Sequence, residues 1–168
     1  MPLKPKFWDK DKVSLIALIL IPFSYLYWCL FIIKKKLNKK KKFPIKVMCV
    51  GNIYLGGTGK TPFSIELSSI LKQLGKKPCF VMKNHNLTED ENKLLSKYGP
   101  VFTSSKRSDS IKLAHENNFD VAIMDDGFQD FSLEKNFSFL CFDEKLWIGN
   151  GLLIPAGPLR ESLKSGIK

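Results

Sequence analysis

The stretch VGNIYLGGTGKTP, residues 50–62, decides the fold. An apolar run (45–50) enters it and an amphipathic run (61–75) leaves it, so the glycines lie on a strand-to-helix turn. On such a turn the backbone N–H groups of Gly56, Gly57, Thr58 and Gly59 can point at phosphate oxygens. The Lys60 ammonium then neutralises charge at the β/γ-phosphates, and the Thr61 hydroxyl can ligate Mg²⁺ at the helix start. The strict pattern G-x-x-x-x-G-K-[ST] asks for glycine at position 54, where this chain carries Tyr54. Gly51, Gly56 and Gly57 leave room for a longer variant of the loop. The rival reading is a glycine-rich turn with no ligand. The order strand, G-K-T, helix favours the nucleotide loop, with Tyr54, Leu55, Gly56, Gly57, Thr58, Gly59, Lys60 and Thr61 as its contacts and ATP as its ligand.

Outward from this loop, apolar runs alternate with helical periodicity. Strands are expected at 45–50, 78–82, 100–104, 121–126 and 137–143, and helices at 61–75, 91–98 and 111–118. That alternation predicts an α/β domain of the P-loop NTPase type: a mostly parallel sheet with flanking helices, binding ligands at the C-terminal ends of its strands. The run VAIMDD delivers Asp125 and Asp126 to such an end, as a Walker B strand does, and carboxylates there hold Mg²⁺ directly or through water. Read alone, it is equally a strand ending in an Asp-Gly turn. Paired with the glycine loop it reads as a metal site of Thr61, Asp125 and Asp126. The run Thr88-Glu89-Asp90-Glu91 is open between a source of general base and a solvated helix start. His85 and His115 read as a loop residue and a helix-surface residue.

The 168 residues suit one ordinary domain, and the net charge of +11 is concentrated. Seven lysines fall between positions 34 and 42, directly after an uncharged apolar run, 13–33. This argues for anionic membrane lipids as partners and against nucleic acid. At about 1.5 Å per residue the run can cross a core of about 30 Å. Pro22 is expected to interrupt the helix, and the aromatics of its second half with lysines at both ends mark an interface. Three readings stay open for this run: an embedded or spanning anchor, an interfacial helix, and a buried core helix. Residues 1–42 are therefore expected to form a membrane-associated segment and 43–168 the nucleotide-binding domain. The four cysteines stand singly in apolar segments and read as buried, reduced thiols.

Taken in order, Phe7-Trp8, VGN with GGTGKTP, a D-E pair, DDGFQ (125–129) and GNGLLIPAGPLRE (149–161) resemble the tetraacyldisaccharide 4′-kinase family. The resemblance covers nearly the whole chain. It implies a membrane-associated kinase at the cytoplasmic face of the inner membrane, using ATP and Mg²⁺ to phosphorylate the 4′-hydroxyl of tetraacyldisaccharide 1-phosphate. It further implies Lys60, Asp126 and Asp90 as catalytic groups, with Asp90 the acid near the attacking hydroxyl, and Glu91, Gln129 and Arg160 as substrate contacts. The chain departs from the family at Met82-Lys83-Asn84-His85-Asn86, where S-R-G-Y-G is usual, and at Glu89-Asp90-Glu91-Asn92, where G-D-E-P is usual. It matches the family's N-terminal half, so a separate C-terminal lobe is expected as a partner. The alternatives are an inactive nucleotide-binding remnant and another membrane-anchored NTPase.

Overall fold

Ser14 opens the first helix: its Oγ accepts from Ala17 N at 3.2 Å, and α1 then covers Leu15–Leu37. This is a computed structural model describing residues 4–9, 12–84 and 89–166. The chain divides into two compact units, one of Met1–Asn38, Asn52–Thr58 and Phe142–Lys168, the other of Lys39–Gly51 and Gly59–Cys141.

In the first unit α1 continues through Pro22, contrary to the expectation that proline interrupts it. A proline deletes one backbone donor and crowds the preceding turn, but tertiary contacts on both sides of it hold this helix. Its buried positions, Ala17, Ser24 and Phe31, recur at seven-residue spacing and form one stripe. Ser24 Oγ donates to Leu153 O at 2.8 Å and accepts from Ala156 N at 3.0 Å, and Tyr27 OH donates to Arg160 O at 2.8 Å. The opposite flank is open: Leu15, Ile19, Phe23, Tyr25, Leu26 and Leu30 are all more than half exposed. Only 17% of its most apolar window is buried, which is the opposite of a core helix. Lys34, Lys35 and Lys36 occupy its last turn, where cations suit the helix dipole.

The rest of this unit is tied by backbone. Trp8, in a short 3₁₀ turn (Lys6–Asp9), donates its indole N–H to Pro155 O at 3.1 Å and accepts from Asn150 N at 2.9 Å. Leu55 N donates to Pro158 O at 2.8 Å and Arg160 N to Ile53 O at 2.7 Å, around an antiparallel bridge between Tyr54 and Leu159. The lead into the glycine loop is thus paired with PAGPLRE. A Cβ on Gly157 would overlap Asn150 Oδ1 and Leu152 O, so that motif requires its glycine.

The second unit carries β1 (Lys46–Gly51), α2 (Lys60–Gln73), β2 (Pro78–Lys83), α3 (Glu89–Ser96), β3 (Val101–Ser104), α4 (Arg107–Glu116), β4 (Val121–Asp125) and β5 (Phe137–Leu140). The strands form one wholly parallel sheet in the order β3-β2-β4-β1-β5, as the alternating pattern predicts. The apolar runs of β2 and β4 are buried almost throughout, as parallel strands covered on both faces must be. Val50, Leu67, Leu71, Phe80, Met82, Leu95, Val121 and Ile123 make the core. α2 stops where the sequence says it should: Gly75 adopts φ 71°, Gly75 N bonds Lys72 O and Lys76 N bonds Leu71 O.

Several boundaries differ from expectation, among them α3, which covers Glu89–Ser96 where 91–98 is expected. α4 starts at Arg107 rather than 111, because a charged first turn hides the start from hydrophobic periodicity. β5 ends at Leu140, and β4 ends at Asp125, because Asp126 turns into left-handed backbone at φ 51°. Of the cysteines, Cys49 and Cys79 are buried, Cys29 and Cys141 are only half-buried, and all are free thiols. His115 lies exposed in the last turn of α4, while His85 and Thr88 lie outside the described residues. Part of the lysine run is built into this unit: Lys41 N donates to Ser132 O at 2.8 Å, and Lys42 pairs with Glu134 at 3.7 Å.

Candidate active site

β1 and β4 are neighbours in register, with Val50 opposite Asp125, so the acid of β4 emerges at the strand end from which β1 also leaves. Gly59, at φ 72°, caps α2 in a conformation that glycine adopts without strain. The first residues of α2 then meet the acids. Thr61 Oγ1 donates to Asp125 Oδ2 at 2.9 Å, Ser64 Oγ donates to Asp125 Oδ1 at 3.3 Å, and Lys60 Nζ lies 3.7 Å from Asp126 Oδ1.

Asp125 is 3% exposed. Desolvation pushes its carboxyl above the ordinary range, while the Thr61 hydroxyl and the Lys60 charge pull the other way. Asp126 is more open, and its left-handed backbone lets the next residue turn sharply. Gly127 is closely packed: a Cβ there would lie 2.5 Å from the flexible Met124 Cε and 3.1 Å from Met124 Cβ, so Met124 would have to shift to admit one.

Glu91, exposed on α3, feels this cluster through its charge. It keeps contact with solvent, yet partial desolvation, and then the charges of Asp125 and Asp126, raise its carboxyl against the pull of Lys60. Asp90, its neighbour, is exposed, and Gln129 sits half-buried in the loop after Asp126. Two participants escaped the sequence reading. Arg107, at the start of α4, donates to Asp126 O at 3.0 Å and pairs with Asp130 at 3.5 Å, clamping the DDGFQ turn from both sides. Ser64 was hidden as an ordinary helix residue. For Arg107 a signal existed, an arginine two residues after a strand-end serine pair, but nothing in it named its target.

In the first unit, Asn52 Nδ2 donates to Gly56 O at 3.0 Å and to Thr58 Oγ1 at 2.9 Å, folding the start of the loop on itself. Gly56, Gly57 and Leu55 are exposed and Thr58 is buried. The Tyr54 side chain is fully buried. Arg160 is half-buried, and Glu161 beside it, 2% exposed, accepts from Ser165 Oγ at 3.1 Å.

Chemically, the second unit holds a cation and a hydroxyl at a helix start facing two carboxylates at a strand end. Among the described residues there is no cluster of three or more His, Cys, Asp or Glu able to hold a metal ion by itself. A hydroxyl with one or two carboxylates is nonetheless the donor set that suits Mg²⁺ when phosphate oxygens complete its shell.

The chain is similar to known proteins over nearly all of its length. The family model described as Tetraacyldisaccharide-1-P 4'-kinase matches residues 16–168. A Pelagibacter ubique protein named tetraacyldisaccharide 4'-kinase is 44% identical over 96% of this chain and 51% of its own length. One of the same name from Rickettsia canadensis is 37% identical over 95% of this chain and 53% of its own. LpxK from Aquifex aeolicus, solved in complex with ATP, matches with a TM-score of 0.74 and 33% identity, over 91% of this chain and 56% of that one. The chain spans about half the length of the curated relatives it matches. With the family model matching all but the first residues of the chain, the chain belongs to the tetraacyldisaccharide-1-P 4'-kinase family.

Proposed function

We propose that this chain is the nucleotide-binding half of a lipid kinase that transfers the γ-phosphate of ATP to the 4′-hydroxyl of tetraacyldisaccharide 1-phosphate, giving lipid IVA. The observation that carries the reading is the meeting of Lys60 and Thr61 with Asp125 and Asp126 at one strand end. Lys60 offsets charge on the β/γ-phosphates. Thr61, Asp125 and Asp126 are the oxygen donors for Mg²⁺, whose charge, when bound, eases build-up on the transferring phosphoryl group. The sugar oxygen bonds to the γ-phosphorus as the bond to the β-bridging oxygen breaks, ADP leaves, and the hydroxyl proton passes to a carboxylate. The motif assigns that carboxylate to Asp90, with Glu91, Gln129 and Arg160 toward the sugar and its phosphate. The electrostatic tie of Glu91 to the acids supports a part for the D-E pair as a whole.

Residues 1–42 serve the membrane and 43–168 the chemistry, although α1 packs against the PAGPLRE region within one unit. The bare apolar flank of α1, with lysines at its end, supports a place at the cytoplasmic face of the inner membrane. A C-terminal lobe is expected to complete the site. Phosphoryl transfer depends mainly on positioning and charge, so half a site loses rate more than nucleotide affinity. The test is equilibrium binding of Mg-ATP, together with transfer of labelled γ-phosphate into the lipid, with and without such a lobe. Lys60→Ala is expected to weaken nucleotide binding by about 10- to 100-fold, the scale of a lost charge-assisted contact. Unchanged affinity in that variant overturns the reading.

A further inference from the structure

Tyr54 is where the loop departs from the strict phosphate-loop pattern, and the structure supplies the tyrosine with a partner far upstream. We propose that Lys4, Asp9 and Tyr54 are positioning residues that pin the entry of the phosphate loop to the segment preceding α1. The inference rests on reading 56–61 as the ATP loop.

Tyr54 OH donates to Asp9 Oδ1 at 2.6 Å, across 45 residues of chain. The Lys4 ammonium pairs with the same carboxylate oxygen and lies 4.4 Å from the centre of the Tyr54 ring. The ring is thus bounded by a cation on its face and a carboxylate at its tip. Along the chain it supports the loop directly: its Cε1 and Cδ1 stand 3.4 and 3.5 Å from the point where Gly56 would carry a Cβ. Gly56 is then fixed from the other side by Asn52. Backbone bonds on either side, Leu55 N to Pro158 O and Arg160 N to Ile53 O, hold the strand but leave the ring's orientation to Asp9.

The contact is chemically selective. A fully buried phenol needs an acceptor, and an ionised one beside a lysine is among the strongest available. Burial alone works against a charged Asp9, but the bonds from Lys4 and Tyr54 outweigh it and hold the carboxyl below its ordinary range. The tie therefore persists at neutral pH. Where the strict pattern uses glycine for freedom, this chain places a large ring and then restrains it, so the loop is preorganised by a side chain. Preorganisation improves affinity by lowering the ordering cost of binding.

Full-length chain is prepared as wild type, Tyr54→Phe, Asp9→Asn, the double variant, Asp9→Glu and Lys60→Ala, in one detergent. Amide exchange over 52–59 and the Kd for Mg-ATP are measured well below the melting temperature. Tyr54→Phe and Asp9→Asn are each expected to speed exchange in that segment and weaken ATP about tenfold, the scale of one charge-assisted hydrogen bond. The double variant should be no worse than either single, and Asp9→Glu should recover part of the loss. Wild-type exchange and Kd in both single variants, or additive losses in the double, overturn the proposal. Asp9 is partly exposed, so Asp9→Asn keeps the test open if Tyr54→Phe does not fold. If wild type does not bind Mg-ATP, or Lys60→Ala binds it equally well, the ATP reading fails instead, and the exchange data still decide whether the tie positions the loop.

Discussion

Asp125 bears a conflict of its own, a carboxylate kept out of water at the end of β4. Its two hydroxyl donors, Thr61 and Ser64, satisfy the carboxylate oxygens without neutralising them. Because burial raises its folded-state value above the ordinary 3.8, the protonated form is favoured by folding. The stabilising contribution is therefore complete below the unfolded value and is lost as pH rises through the folded one. Asp125→Asn removes that loss. The ligand-free variant is expected to melt higher than wild type near pH 7, by roughly 2–4 °C per kcal/mol recovered, with the gap closing toward pH 4 and Mg-ATP binding impaired. Calorimetric melts across that range check it, and a gap that is constant with pH would contradict the sign.

At the scale of elements, one glycine sets how closely β1 and the loop after β4 approach. On β1, a Cβ at Gly51 would overlap Phe128 Cβ and come within 3.2 Å of Phe128 N, so the glycine of V-G-N exists to admit the DDGFQ turn. That turn is held in place by Arg107 and by Lys135, whose Nζ donates to Phe128 O at 2.6 Å. Gly51→Ala is expected to destabilise the chain by about 1–3 kcal/mol, the range for overpacking at a backbone contact, and to displace Asp126. Denaturant unfolding reads the first effect and Mg-ATP affinity the second. A variant as stable as wild type would mean that the turn yields more easily than its packing implies.

For the whole molecule, the apolar flank of α1 is a broad exposed surface. Ile19, Leu26 and Leu30 are 65, 59 and 59% exposed and take no part in the buried stripe at Ala17, Ser24 and Phe31. Replacing those three by Asn should leave the fold intact. It should weaken partition into anionic vesicles by more than about a hundredfold, since each large apolar side chain contributes about 1.5–3 kcal/mol when buried in lipid. Cosedimentation at low and high salt separates this term from that of the lysines, which alone is screened. Partition unchanged by the triple substitution would remove the membrane role of this flank.

What the sequence determined by itself is whatever depends on neighbours along the chain: the alternation that forces a parallel sheet, the glycine turn with Lys60 and Thr61, the acids ending β4, and the apolar length of α1. These are local because period, turn chemistry and strand length each act over a few residues. Only tertiary structure decided which acid became buried, that Arg107 would clamp Asp126, that Glu91 would feel the acids, and that Pro22 would sit inside a continuous helix. It also gave Tyr54 its partner in Asp9. These depend on strand order and on contacts between residues tens of positions apart, and periodicity carries no record of either.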